Sequence, residues 1–159
     1  MAKKDVFDTA KRMCMLSDVY GFAVAEEIGK ERELALNTKV MEKMGANAGN
    51  TMKKQSGIKK FDAKTAWPAV KTTCDNLGIS VKVVEEGPKK VAVKIGKCPV
   101  YEAGHECGID NKTLESHCRS GSIRYLDVMV KQLNPNLTHR LVKYRSGPDD
   151  FCEEETVIE

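Results

Sequence analysis

Hydrophobic positions repeat with two different periods along this chain, and the change comes near Gly78. Upstream, Val6, Ala10, Met13, Leu16, Val19, Tyr20, Ala23, Val24 and Ile28 fall into an amphipathic helical pattern. A second helical pattern carries Leu34, Val40, Met41, Met44, Ala48 and Met52. Gly45 and Gly49 interrupt it. Each costs about 1 kcal/mol against Ala in a helix, and each lets a neighbouring helix come close. Gly57 ends the segment. A third helix carries Trp67, Val70, Cys74 and Leu77, with Asp62 or Thr65 as its N-cap and Gly78 as its stop. Pro68 favours Thr65 as the cap, because proline is tolerated only in the first turn.

After Gly78 the period drops to two. Ile79, Val81 and Val83 alternate with Ser80, Lys82 and Val84, as in a half-buried strand. Glu86-Gly87-Pro88-Lys89 signals a turn, and Val91, Val93 and Ile95 alternate again up to Gly96. Residues 98–118 read as loop-rich. A helix over about 120–133 carries Ile123, Leu126, Val128 and Val130 and stops before Asn134-Pro135. Residues 137–145 and 151–158 make two further strands around Ser146-Gly147-Pro148-Asp149-Asp150. The expected class is therefore α+β: N-terminal helices packed on a roughly four-stranded antiparallel sheet, made of two hairpins with a helix between them. Residues 1–159 are read as one domain, helical over 1–78 and carrying the sheet over 79–159. The open edges of such a sheet need covering, which makes a homodimer plausible.

Charge changes this picture little. The formal net charge is +3, and most lysines are interspersed with acids. Lys53, Lys54, Lys59 and Lys60 cluster around Gly57 without interleaved aromatics, which argues against a nucleic-acid partner. No stretch approaches the ~18 apolar residues of a membrane span. The opening Met-Ala-Lys-Lys-Asp-Val-Phe-Asp lacks the apolar core of a signal peptide. A soluble cytoplasmic protein with no membrane partner is expected, and there clustered cysteines serve metal binding or chemistry more often than disulfides.

The candidate chemistry sits on cysteines. Cys14 and Cys74 lie on apolar helix faces and read as small buried hydrophobes. Cys98, Cys107, Cys118 and Cys152 instead stand at corners. Cys98 precedes Pro99, Cys107 follows His105-Glu106, Cys118 opens the predicted helix after His117, and Cys152 begins the last strand. Thiolates at such corners suit zinc, which takes four tetrahedral ligands, or an iron–sulfur cluster. A helix N-terminus at Cys118 would help hold negative charge. His105, Glu115 and His117 are possible alternative ligands, and His139 reads as structural or exposed. Trp67, Tyr101, Tyr125 and Phe151 are candidate walls for a small-molecule pocket.

Cys98-Pro99, the glycine-containing loop, Cys118, Leu133-Asn134-Pro135-Asn136-Leu137 and Gly147-Pro148-Asp149-Asp150-Phe151-Cys152-Glu153 occur in that order. Together they resemble the L-2-amino-thiazoline-4-carboxylic acid hydrolase-like family over about residues 62–159. More distantly they are similar to vinyl-4-reductase domains, a small-molecule-sensing and hydrocarbon-binding group. The resemblance matches Cys98, Cys118 and Cys152, and implies zinc held by cysteines plus a carboxylate beside a buried ligand pocket. After Cys118 the chain departs from the hydrolase pattern, with Arg119-Ser120-Gly121-Ser122 where an acidic residue is expected. That departure bears against hydrolysis more than against the fold. The expected function is a non-catalytic metal-binding module that binds or senses a small molecule. The alternative is a metal-dependent hydrolase opening a small cyclic amidine or thiazoline.

Overall fold

The computed structural model describes residues 3–159, with side chains from Asp5 onward; Met1 and Ala2, the start of the expected helical part, lie outside the described residues. Three helices come first: α1 (Lys3–Ile28), α2 (Lys30–Ser56) and α3 (Ala63–Asn76). The hairpin β1 (Val81–Glu86) and β2 (Lys90–Ile95) follows. Then come α4 (Pro99–Glu106), α5 (Asn111–Cys118), a π-helical turn Arg119–Ile123, α6 (Arg124–Leu133), β3 (Leu137–Lys143) and β4 (Cys152–Ile158). The sheet is antiparallel in the order β1-β2-β4-β3, so the two hairpins join through β2 and β4. No described residue before Gly78 belongs to the sheet.

One face of the sheet is buried. Val91, Val93 and Ile95 of β2, Leu137 and Leu141 of β3 and Cys152 of β4 pack with Val70 of α3 and Met129 and Val130 of α6. Full burial of each such aliphatic side chain contributes roughly 1.5–3 kcal/mol. The opposite face carries Lys90, Lys94, Arg140, Glu153 and Glu155, joined by ion pairs such as Arg140–Glu155 at 2.6 Å. Exposed pairs of this kind contribute at most about 1 kcal/mol each, so burial on one side holds the layer.

Several local expectations need correction. Residues 98–118 are not a loop but hold α4 and α5. Pro99 stands at the first turn of α4, where its missing N–H costs nothing. Asp110 caps α5 by accepting from Thr113 N–H at 3.0 Å. Cys118 is thus the last residue of α5 and runs on through the π-turn into α6, so no free helix N-terminus faces it. The cap of α3 is Asp62, not Thr65: Asp62 Oδ1 accepts from Thr65 N–H at 2.7 Å, while Asp62 N–H donates to Thr65 Oγ1 at 2.8 Å. This reciprocal pair fixes the start three residues earlier than proline preference suggests, and Pro68 lies inside the helix.

The glycines of α2 do bring a helix close. A Cβ on Gly45 would fall on the Tyr125 carbonyl oxygen, and one on Gly49 on that of Met129. α2 therefore packs backbone-close along α6. The apolar stripe of α1 finds no such partner: Met13, Leu16 and Tyr20 are each about 70% exposed, and Leu36, Val40 and Met44 of α2 are at least half exposed. Among the described residues, no helix is long and apolar enough to cross a membrane.

Candidate functional site

The site is built where β2 and β3 end and β4 and α4 begin. A bulge in β3 does the positioning. The β3–β4 register slips between Leu141 and Lys143, leaving Val142 as the extra, exposed residue. Lys143 consequently pairs with the outward-facing Glu153, and Tyr144 instead turns towards the core. Arg145 follows it inside.

Arg145 is only 3% exposed. Its Nε donates to Cys152 Sγ at 3.4 Å, and its Nη2 donates to the carbonyl oxygens of Ile95, at 3.0 Å, and Gly96. The guanidinium carbon lies 4.6 Å from the centre of the Tyr101 ring. Asn111 holds the Arg145 carbonyl oxygen from α5 at 2.9 Å. Nη1 has no hydrogen-bond partner among the described residues. Arg145 also lines an open cavity of ≈ 480 Å³, with Lys97, Tyr101, Glu102 and Phe151 among its walls. That volume lies within the usual range of small-molecule sites. Of the three acids in the lining, Asp149 is exposed and makes no hydrogen bond or ion pair among the described residues, while Glu102 and Asp150 are engaged. Lys143 and the Ser146 N–H hold the Asp150 carboxyl well below the usual carboxylate range, and Glu102 lies 3.9 Å from Lys11.

Behind Arg145 lies a cluster of thiols. Cys98, Cys118 and Cys152, the three matched by the family motifs, do share one neighbourhood, together with Tyr144 and Glu154. Burial pushes the Cys98 thiol up to about 11, against donation from the Tyr101 and Val100 N–H groups. Burial, then Glu154, raises Cys118 well above its ordinary value. The fourth cysteine bordering this cluster is Cys74, pushed up to about 12 by burial and by Glu154. Glu154 links the cluster to His139, which is buried and hydrogen-bonded, the structural rather than the exposed of its two expected states. His139 Nε2 lies 3.2 Å from Glu154 Oε2 and Nδ1 lies 2.9 Å from Thr156 Oγ1.

Cys107 is not packed on the core that holds the trio, although it shares the Tyr101, Ile109 and Leu114 cluster with Cys98. Burial raises its thiol first, followed by Asp18 of α1 and Glu106, and Asp18 also raises Cys14. The six cysteines thus divide into Cys74, Cys98, Cys118 and Cys152 on one side and Cys14 and Cys107 on the other; all six are free thiols. The alternative ligands do not join the trio either. His117 lines a different cavity beside Asp18, Glu115 is paired with Arg119 at 2.7 Å, and His105 is exposed at the end of α4. Among the described residues no group of three or more His, Cys, Asp or Glu has an arrangement that could hold a metal ion. The donor chemistry at the trio is soft sulfur, but burial raises the Cys98 and Cys118 thiols, and the Arg145 guanidinium lies against Cys152. Of the candidate pocket walls, Tyr101 and Phe151 line the Arg145 cavity. Trp67 and Tyr125 belong to the packing between α3, α6 and the sheet.

No family model matches the chain, and no curated protein sequence does. The hydrolase-like and vinyl-4-reductase resemblance therefore remains one of short motifs. Two solved structures share the fold. One is the phenol-responsive sensory domain of the transcription activator PoxR with phenol (TM-score 0.59, 12% identity, covering 91% of this chain and 74% of that one). The other is a trafficking protein particle complex subunit 3 from Naegleria fowleri covalently bound to palmitic acid (TM-score 0.57, 14% identity, covering 95% of each chain). The fold is thus one that elsewhere forms a small-molecule sensory domain.

Proposed function

We propose that this chain is a non-catalytic module that binds a small carboxylated molecule in the cavity beside Arg145. The observation that carries the reading is the buried guanidinium. Three of its five N–H donors are spent on Cys152, Ile95 and Gly96, and the two on Nη1 are left at a cavity wall. A planar pair of donors suits a carboxylate, and Tyr101 and Phe151 offer an apolar surface for the body of the ligand. The fold shared with a phenol-responsive sensory domain supports the same class of role. Benzoate and benzyl alcohol, which differ in the carboxylate, test it. Benzoate is expected to raise the melting temperature and benzyl alcohol to leave it unchanged; equal behaviour of the two would remove the role given to Arg145.

Zinc or an iron–sulfur cluster at Cys98, Cys118 and Cys152 is the second reading, favoured by the convergence of three thiols from three separate elements. Against it stand the cost of deprotonating buried thiols and the fixed positive charge of Arg145 beside Cys152. The hydrolase alternative further needs a proton-transfer group; His105, Glu115 and His117 lie elsewhere, and the carboxylate beside the thiols is Glu154, engaged with His139. Metal analysis of protein purified without oxygen separates the readings. One zinc per chain, lost in Cys118→Ser, supports the metal site; a colourless, metal-poor protein that still binds benzoate supports the thiol-lined one.

A second copy of the chain is the partner we propose for the apolar stripe of α1 and α2. Seven large apolar side chains stand in solvent there, Met13, Leu16, Val19 and Tyr20 of α1 with Leu36, Val40 and Met44 of α2, against Val83 and Val84 on the β1 edge and Val142 on the β3 edge. A two-fold axis along the stripe would set it against itself.

A further inference from the structure

A second cavity, of ≈ 140 Å³, lies between α1, α2, α4 and the π-turn, away from Arg145. Its polar walls are Ser17 and Asp18 from α1, Glu33 and Asn37 from α2, and His117 and Ser122. Two carboxylates face this space with hydrogen-bonding capacity unused, and of the two Asp18 has the His117 ring as a nearby charge partner. Glu33 is 8% exposed and makes no side-chain hydrogen bond or ion pair among the described residues. Asp18 Oδ2 is buried with no hydrogen-bond partner. Glycines keep the space open. A Cβ on Gly21 would stand 3.5 Å from Glu33 Oε1, and one on Gly121 would stand 3.4 Å from Asn37 Nδ2. No described lysine or arginine reaches in: Lys11 is turned to Glu106 and Lys30 to Thr113.

A buried carboxylate without a partner is costly, and the usual remedies are an opposite charge or a set of donors. The chain supplies neither to Glu33. We infer that this cavity is a binding site for a compact organic cation carrying N–H donors, of the ammonium or guanidinium class. The cation would bridge Asp18 and Glu33, with the Asn37 side-chain oxygen as a further acceptor. The size agrees, since the space holds about four or five water-sized groups. A bare divalent ion fits less well, because no three ligating groups among the described residues have a metal-holding arrangement.

Amide-resolved NMR titration of the full chain tests the site, with methylguanidinium and methylammonium as probes. Tetramethylammonium, of equal charge but without N–H donors, is the control. We expect saturable shifts confined to amides around residues 17–21, 33–37 and 117–122 for the N–H cations, and none there for tetramethylammonium. Glu33→Gln, which preserves shape, should weaken binding at least tenfold. Should that variant give an unfolded spectrum, Asp18→Asn carries the same expectation. No saturable shift with either N–H cation would overturn the inference. So would unchanged affinity in the variants, equal binding of tetramethylammonium, or saturation of these amides by zinc alone.

Discussion

Arg145 Nε donates to Cys152 Sγ at 3.4 Å, tying the second residue after β3 to the first residue of β4. The same side chain reaches across to β2, donating to the Ile95 and Gly96 carbonyl oxygens. One guanidinium therefore fastens the ends of three strands, on a residue that also lines the cavity. The structural role and the proposed binding role fall on one residue, and the two separate under substitution.

Arg145→Gln leaves two carbonyl oxygens without their donor at a buried position. Each unsatisfied buried group costs about 1–3 kcal/mol, so urea denaturation should show a loss of at least about 1 kcal/mol. Wild-type stability in this variant would mean that Arg145 does not anchor the strand ends.

Two aspartates give opposite pH signatures. Burial holds the Asp18 carboxyl above its ordinary value, only partly offset by His117. A raised carboxyl favours the folded state below its unfolded pKa, and that contribution is lost as pH rises through the folded value. Asp18→Asn should therefore be more stable than wild type at pH 7, with the difference fading towards pH ~3.9 and below. Asp62 is lowered, chiefly by the Thr65 N–H. Its contribution is present above the unfolded pKa and lost as pH falls through the depressed one. Asp62→Asn should be less stable at pH 7 and converge with wild type in acid. Melting curves across pH read both, and parallel curves for either variant would contradict the assignment.

The stripe on α1 and α2 predicts a dimer that a single charge breaks. Leu16 and Val40 are 71% and 54% exposed, so Leu16→Glu or Val40→Glu should fold normally while halving the mass seen by sedimentation. A wild type that sediments as one 17.6 kDa chain would contradict the second-copy proposal.

The change of period at Gly78 made the fold class legible, because helical and alternating patterns bury different faces. Gly45 and Gly49 were legible as close-approach sites for the same kind of reason: a missing Cβ means one thing in a helix interior. The loop reading of residues 98–118 failed because α4 and α5 are eight residues each, too short for a periodic stripe, and their signals are local caps at Pro99 and Asp110. Family motifs brought Cys98, Cys118 and Cys152 together but could not separate Cys107, whose corner position looks the same in one dimension. Tyr144 and Arg145 were missed because the bulge at Val142 changes which residues turn inward, and strict alternation places Lys143 there instead. Glu154 and His139 were invisible as a pair, since register alone sets them on neighbouring strands. Asp18 and Glu33 look like ordinary surface acids of helices. Only the approach of α1, α2 and α4 encloses them.

The central claim is that the Nη1 end of Arg145 receives a carboxylate, and isothermal titration calorimetry tests it most directly. Benzoate and benzyl alcohol are titrated into wild type and into Arg145→Lys, which keeps the charge but not the planar pair of donors. The account predicts one benzoate site per chain, benzyl alcohol weaker by at least tenfold, and a comparable loss for benzoate in Arg145→Lys. No saturable heat with benzoate, or equal affinity in wild type and Arg145→Lys, would contradict it.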